Sequence, residues 1–296
     1  MKFALCNEVL QPLPFERQCA VAAALGYDGV EVAPFTLADD PMAISDAQAG
    51  VFRRMAEDQG LAISGLHWLL VAPAGLSIVS ADVAVRERTA AVMERLVELC
   101  ALMGGQYLVH GSPKQRSVPP GDTPAVARAR AREGLARAAR RAQACGVTYC
   151  IEPLSPRETD LINTVADAVA LVEEIASPAF KTMIDCSAAG QAEAESVEAL
   201  MARWMPGGHI AHVQVNDPNR RGPGQGDMVF APILQTLQRM QAEGHYRGIV
   251  AVEPFDYVPD GLGSAARAIG YLRGVLEGLA ASPRTAPNET EGAVHG

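Results

Sequence analysis

The 296-residue sequence has no run of about 18 uninterrupted apolar residues, which argues against a membrane-spanning helix. Its six cysteines (Cys6, Cys19, Cys100, Cys145, Cys150 and Cys186) show no CxxC or zinc-finger spacing. Neither a disulfide framework nor a structural zinc site is therefore expected, and reduced thiols in a cytosol fit better. Positive charge is in deficit: 25 Lys and Arg stand against 34 Asp and Glu, a formal net charge of −9. Nucleic acid and anionic membranes are thereby disfavoured as main partners. One Arg-rich run, ARARAREGLARAARR (Ala127–Arg141), is the exception. At about 100° per residue Arg128 and Arg132 face one way and Arg130, Arg137 and Arg141 the other, so a solvated helix is expected rather than a binding stripe. The opening MKFALCNEVLQPLPF meets a carboxylate and prolines too early for a signal peptide, so a cytoplasmic chain is expected.

What is present is alternation. Short apolar runs occupy Phe3–Val9, Gly29–Pro34, Ala62–Leu70, Tyr107–Pro113, Thr148–Leu154, Lys181–Ser187, His209–Asp217 and Gly248–Phe255. Helical patterns lie between them, including Phe15–Leu25, Val83–Met103 and Val165–Ala176. Several helices stop at a glycine just before the next strand, at Gly26, Gly60, Gly104 and Gly146, as a left-handed helix cap requires. Eight strands alternating with eight helices predict a single (β/α)₈ TIM barrel over residues 1–281. A doubly wound sheet would need a glycine-rich phosphate loop after an early strand, and none follows strand one. The polar, aperiodic tail from Ser282 to Gly296 is expected to be disordered.

Such barrels place their chemistry at the C-terminal strand ends. Those ends carry Glu31, His67, His110, Glu152, Asp185, Gln214 and Glu253. Interior positions should be Val, Ile and Leu, and carboxylates there are costly unless paired or metal-bound. Period-two alternation lets Glu152, Gln214 and Glu253 point inward, and in HVQVNDPNRRGPGQGD it sets His212, Gln214 and Asn216 on one side. Glu152, Asp185, Gln214 or His212, and Glu253 end four consecutive strands and can converge on one point. Three clustered carboxylates call for a cation, and a mostly oxygen-donating set suits Mn²⁺, Mg²⁺ or Co²⁺. The alternative is that each acid pairs with a loop arginine such as Arg157 or Arg220.

These residues, with GYDGVE (Gly26–Glu31), IEPLSPRETDLINT (Ile151–Thr164), MID (Met183–Asp185) and VAVEPF (Val250–Phe255), make the chain resemble the xylose isomerase-like TIM-barrel superfamily, the sugar phosphate isomerase/epimerase group. Within it the ketose 3-epimerases and hydroxypyruvate isomerase are most similar. The resemblance covers about Met1 to Ala280. It implies that Glu152, Asp185 and Glu253 ligate a divalent metal. Gln214 stands where the epimerases have a histidine ligand, and the hydroxypyruvate isomerase-like relatives use a glutamine there in an H-x-Q pattern. Gln214 is thus the implied fourth ligand, with His212 two residues deeper either as a supporting or substrate contact or as a satisfied core histidine. Glu158 and Arg220 resemble sugar-contacting positions. Ala188 departs from the pattern, replacing an epimerase histidine, so that contact is missing or is supplied by His67 or His110.

The implied reaction is proton transfer beside a ketone through an enediolate. Epimerisation needs a carboxylate on each face of the substrate, and Glu152 and Glu253 resemble that pair. A 1,2-isomerisation can use one base. Trp68 is expected either to lay an aromatic face over a sugar or to sit in the core; Lys114 and Arg116 are expected to lie on a solvated loop, the alternative being that with His110 they line the mouth and reach a carboxylate or phosphate. Cys186, alternating away from Asp185, is expected buried and inert. A ketose 3-epimerase acting on a small sugar is the leading expectation, with homodimers or homotetramers implied by the resemblance. A keto-acid isomerase and a non-catalytic sugar-binding relative are the alternatives.

Overall fold

Eight parallel strands close on themselves in sequence order in a computed structural model describing residues 1–281. They are β1 (Phe3–Cys6), β2 (Gly29–Val32), β3 (Ala62–Leu66), β4 (Tyr107–His110), β5 (Thr148–Ile151), β6 (Phe180–Asp185), β7 (Ile210–Val215) and β8 (Val250–Val252). β8 returns to pair with β1, which removes every free edge. The fold is the expected TIM barrel. The tail expected from Ser282 lies outside the described residues.

Nine helices surround the barrel among the described residues: α1 (Phe15–Leu25), α2 (Asp46–Glu57), α3 (Val83–Leu102), α4 (Pro124–Cys145), α5 (Val165–Ile175), α6 (Cys186–Ala192), α7 (Val197–Trp204), α8 (Phe230–Ala242) and α9 (Gly261–Ala281). One more helix is present than the alternation predicts, because α6 and α7 both follow β6. The Asp185 side chain, accepting the Ala188 N–H at 2.7 Å, caps α6 immediately after the strand. None of these helices is long and apolar enough to cross a membrane.

Gly26, Gly60, Gly104 and Gly146 all take the left-handed conformation expected of them, with φ of 88°, 73°, 82° and 71°. The strands are shorter than the apolar runs suggest. At β1 the chain turns into a 3₁₀ segment over Asn7–Leu10, and at β5 and β8 it peels away one residue before the glutamates. His67, Glu152 and Glu253 consequently sit just past their strands, while Asp185 and Gln214 remain inside theirs and are register partners.

The hydrophobic core fills the layer between barrel and helices, with Phe3, Leu66, Met93, Leu96, Phe180 and Phe230 fully buried. The barrel's upper interior is not the aliphatic stack expected. Glu31, His67, Tyr107, His212 and Gln214 fill it, all with 5% exposure or less. A register irregularity leaves Ser64 of β3 as the extra residue opposite Val30 and Glu31, and Gly65 gives the Tyr107 ring room that a β-carbon would occupy.

The Arg-rich run forms part of α4, and four of its six arginines are ion-paired. Arg137 reaches Glu87 and Glu94 and Arg141 reaches Glu98, all on α3, while Arg128 pairs with Glu174 and Arg130 with Asp122. These four are spent on α3, α5 and the turn before α4 in a solvated setting, as expected.

Candidate active site

The C-terminal ends of β5, β6 and β8 bring three carboxylates together. Glu152, Asp185 and Glu253 each offer an oxygen within 4.8 Å of the others, and all three are buried. Burial, and then their mutual repulsion, pushes Glu152 well above the carboxylate range and Asp185 up to about 8. Burial also raises Glu253 to about 7, against the opposing pull of its hydrogen bond to His67. Such a trio is unstable as three anions without a neutralising charge.

Each acid is held by its own partners. Asn216 donates to Asp185 Oδ2 at 2.7 Å and to the Glu253 carbonyl at 3.0 Å, joining β6 to β8 across β7. Glu253 Oε1 accepts from Trp68 Nε1 and lies 2.9 Å from His67 Nδ1. The other His67 nitrogen lies 2.9 Å from Glu8 Oε2. Burial would drive proton loss from His67, but Glu8, Glu253 and Glu31 outweigh it and hold the imidazole well above its usual range. With a carboxylate at each ring nitrogen, the charged form donates both ways.

Among Glu152, Asp185, Gln214 and Glu253 two oxygens have no partner: Gln214 Oε1 and Glu253 Oε2 are both buried without a hydrogen bond. Buried acceptors are rarely left so, and at a cluster of acids they are the lone pairs a hard cation takes up. The donor set of three carboxylates and an amide oxygen fits a divalent ion such as Mn²⁺, Mg²⁺ or Co²⁺.

A cleft opens above these residues, lined in part by His67, Trp68, Glu152, Glu158, Arg220 and Glu253. Glu158 is steadied by the Ser155 hydroxyl, which donates at 2.9 Å. The Arg220 guanidinium stands 4.9 Å from the centre of the Phe255 ring, and its carbonyl accepts from the amides of Phe255 and Asp256 at 2.8 Å. Trp68, Ser112 and Arg220 line this cleft with left-handed backbones, φ 50°, 39° and 72°, which only a well-determined surrounding sustains in residues with side chains.

His110 and His212 lie elsewhere. His110 Nδ1 shares a 2.8 Å contact with Tyr149 Oη, and burial, then nearby Arg116, lowers its pKa to about 3, so the ring stays neutral. His212 stacks on Tyr107 at 3.9 Å and places Nε2 2.9 Å from Glu31. Neither is part of the cleft lining. Glu31 would be raised by burial, yet His212 first, and also His67 and Tyr107, hold it at about 2. Cys186 is fully buried, and burial raises its thiol well above its usual value, as expected of an inert cysteine.

Arg116 overturns the expectation of a solvated loop. It is wholly buried, none of its guanidinium nitrogens has a partner, and burial lowers it to about 10 despite the charges of Glu152 and Glu158. Glu8, Asn216 and Phe255 also belong to the site and carried no assignment from sequence. For Asn216 the signal existed, since it shares the face of His212 and Gln214; Glu8 and Arg116 are reached only through loops.

Gly111 supplies a test of how closely Glu152 is held. A β-carbon there would overlap Glu152 Oε2 and nothing else at that distance, and this atom is the mobile end of a side chain. Gly111→Ala is expected to leave thermal stability within about 1 kcal/mol of native while displacing the Glu152 carboxylate. A weaker Mn²⁺ affinity at unchanged melting temperature is the result to look for; unchanged affinity would show that Glu152 can move without consequence.

Residues 19–275 match the xylose isomerase-like TIM barrel family. The chain is 30% identical over 263 residues to a D-psicose 3-epimerase of Agrobacterium fabrum, a match covering 85% of this chain and 83% of that one. It is 28% identical over 226 residues to an L-ribulose 3-epimerase of Mesorhizobium japonicum, covering 75% and 70%. Among solved structures, a D-psicose 3-epimerase determined in the presence of D-fructose superposes with a TM-score of 0.77 at 25% identity, over 93% of this chain and 99% of that one. These relatives are epimerases, enzymes of the isomerase class. With the match running from α1 into α9, the chain belongs to the xylose isomerase-like TIM barrel family.

Proposed function

We propose that the chain is a divalent-metal-dependent ketose 3-epimerase. The observation that carries this reading is the trio Glu152, Asp185 and Glu253, gathered within 4.8 Å beneath an open cleft and accompanied by two unpartnered buried oxygens. Glu152, Asp185, Gln214 and Glu253 would hold the ion. When bound it supplies positive charge beside the substrate carbonyl, easing ionisation of the adjacent C–H bond.

The chain's own residues do the rest. One of Glu152 and Glu253 takes the proton from C3, and the other returns a proton to the opposite face of the same carbon. Trp68 and His67 fix Glu253 by its Oε1, which leaves the two lone pairs of Oε2 for the ion and for that proton. Glu158 and Arg220 receive the sugar hydroxyls, one accepting and one donating. Trp68 and Phe255, with ring centres 6.1 Å apart, offer apolar faces to the sugar's C–H groups and keep water out.

A keto-acid isomerase is the second reading. Gln214 suits it as well, and the unpartnered Arg116 is a cation near Glu152 and Glu158 of the kind a substrate carboxylate would want.

NMR in D₂O with added Mn²⁺ separates them. Ketohexoses and ketopentoses are expected to gain deuterium at C3 and yield the 3-epimer, with Glu152→Gln forming no epimer. Exchange with hydroxypyruvate alone would favour the second reading. No exchange with any substrate, despite Mn²⁺ binding, would refute both.

A further inference from the structure

Gln214 differs from the other three proposed ligands in having two unlike ends. Its amide oxygen can bind a hard cation, whereas its NH₂ group has no lone pair to give. Something must decide which end is offered. Gln214 Nε2 donates to Glu31 Oε1 at 2.7 Å, and Gln214 Oε1 is left buried with no partner. Glu31 is itself anchored within the barrel: Oε2 receives Tyr107 Oη and lies 2.9 Å from His212 Nε2, while Oε1 is 3.7 Å from His67 Nδ1. An ionised carboxylate only accepts, so a reversed amide would set two oxygens against each other at hydrogen-bond distance.

We infer that Glu31 is a positioning residue for the metal centre: by accepting the Gln214 N–H it leaves Gln214 Oε1 as the end that meets the cation. Tyr107 and His212 act one step further back by fixing the Glu31 carboxylate. This accounts for three costly polar groups inside a barrel where aliphatic side chains would pack more simply. It rests on the proposed metal centre.

The test exchanges the two side chains. In Glu31→Gln, the new amide oxygen is required by His212 and Tyr107, so the new NH₂ group faces Gln214. Two donors then meet, and Gln214 must turn its oxygen inward and present NH₂ to the cation. In the double variant Glu31→Gln with Gln214→Glu, the NH₂ group of residue 31 donates to one oxygen of residue 214 and the other oxygen stays free. The pair keeps one carboxylate and one amide, so the local charge is unchanged.

Mn²⁺ affinity of the full chain is read from the electron paramagnetic resonance of free Mn²⁺, with circular dichroism and thermal melts reporting the fold. Glu31→Gln is expected to weaken binding by about 10- to 100-fold, and the double exchange to return it to the native value or above. A single variant that fails to fold but is rescued by the double exchange supports the assignment equally. Native-like affinity in Glu31→Gln overturns it, as does a double variant as weak as the single or unable to fold. If the native protein takes up no Mn²⁺, the metal centre itself falls and this inference with it.

Discussion

Replacing Glu253 by glutamine is expected to abolish net epimerisation, lowering kcat/KM by about 10³-fold even with Mn²⁺ at saturation. The amide keeps the size of the side chain and can still lie against Trp68 and His67, but it cannot take up a proton. Glu253 Oε2 is the unpartnered oxygen, so the loss falls on the atom the reaction uses. Glu152→Gln is expected to be as damaging to turnover, yet different in detail. In a 3-epimerisation each face of the carbon has its own carboxylate, so each variant should still exchange deuterium into one epimer and not the other, in opposite senses. Following C3 deuterium uptake from both epimers separately, in both variants, reads this directly. A mirrored pattern supports two bases on two faces. Loss of all exchange in one variant and near-native turnover in the other would identify a single base, the pattern of a 1,2-isomerisation. Near-native turnover in both would remove Glu152 and Glu253 from proton transfer altogether.

Much of this arrangement was legible because it depends on local periodicity. The eight apolar runs, their intervening helical patterns and the glycines at Gly26, Gly60, Gly104 and Gly146 specify a strand–helix alternation, and the right-handed crossover rule leaves few ways to assemble it. Period-two alternation likewise turned Glu152, Gln214 and Glu253 inward, and with Asp185 they end four consecutive strands; the three carboxylates gather as expected. What was not legible depends on reach and register. Glu8 meets His67 from a 3₁₀ turn 59 residues away, and no spacing encodes that contact. Glu31 faces inward by ordinary alternation, but no spacing encodes that it meets Tyr107, His212 and Gln214 from two other strands there. Arg116 follows Gly111, Ser112 and Pro113, which look like a solvated loop. The chain folds back there, and the Ile78 N–H donates to the Gln115 carbonyl at 2.9 Å, which helps bury the guanidinium. Loop composition predicts exposure only on average.

Metal-free protein is expected to lose stability as pH rises from 6 to 8.5, and Mn²⁺ to reverse that trend. The sign follows from the acids. Unfolded, Asp and Glu titrate near about 4. Folded, Glu253 titrates at about 7, Asp185 at about 8 and Glu152 well above the usual range. A group whose folded pKa is raised keeps a proton that the unfolded chain has lost, so its stabilising contribution is full below the unfolded pKa and disappears as pH climbs through the folded one. His67, also raised, has the same sign. Glu31, held at about 2, is ionised in both states across this range and contributes no slope. The ion needs the deprotonated acids, so its binding releases protons and tightens as pH rises. At a concentration 100 times its dissociation constant it adds about 2.7 kcal/mol, which for a chain of this size raises Tm by roughly 5 °C. Melts in EDTA and in Mn²⁺ at pH 6, 7 and 8.5 measure both trends, with EDTA curves descending and the Mn²⁺ increment growing. An EDTA series that rises with pH would mean that the acids are not protonated in the folded metal-free state. An increment independent of pH would mean that the ion binds away from Glu152, Asp185 and Glu253.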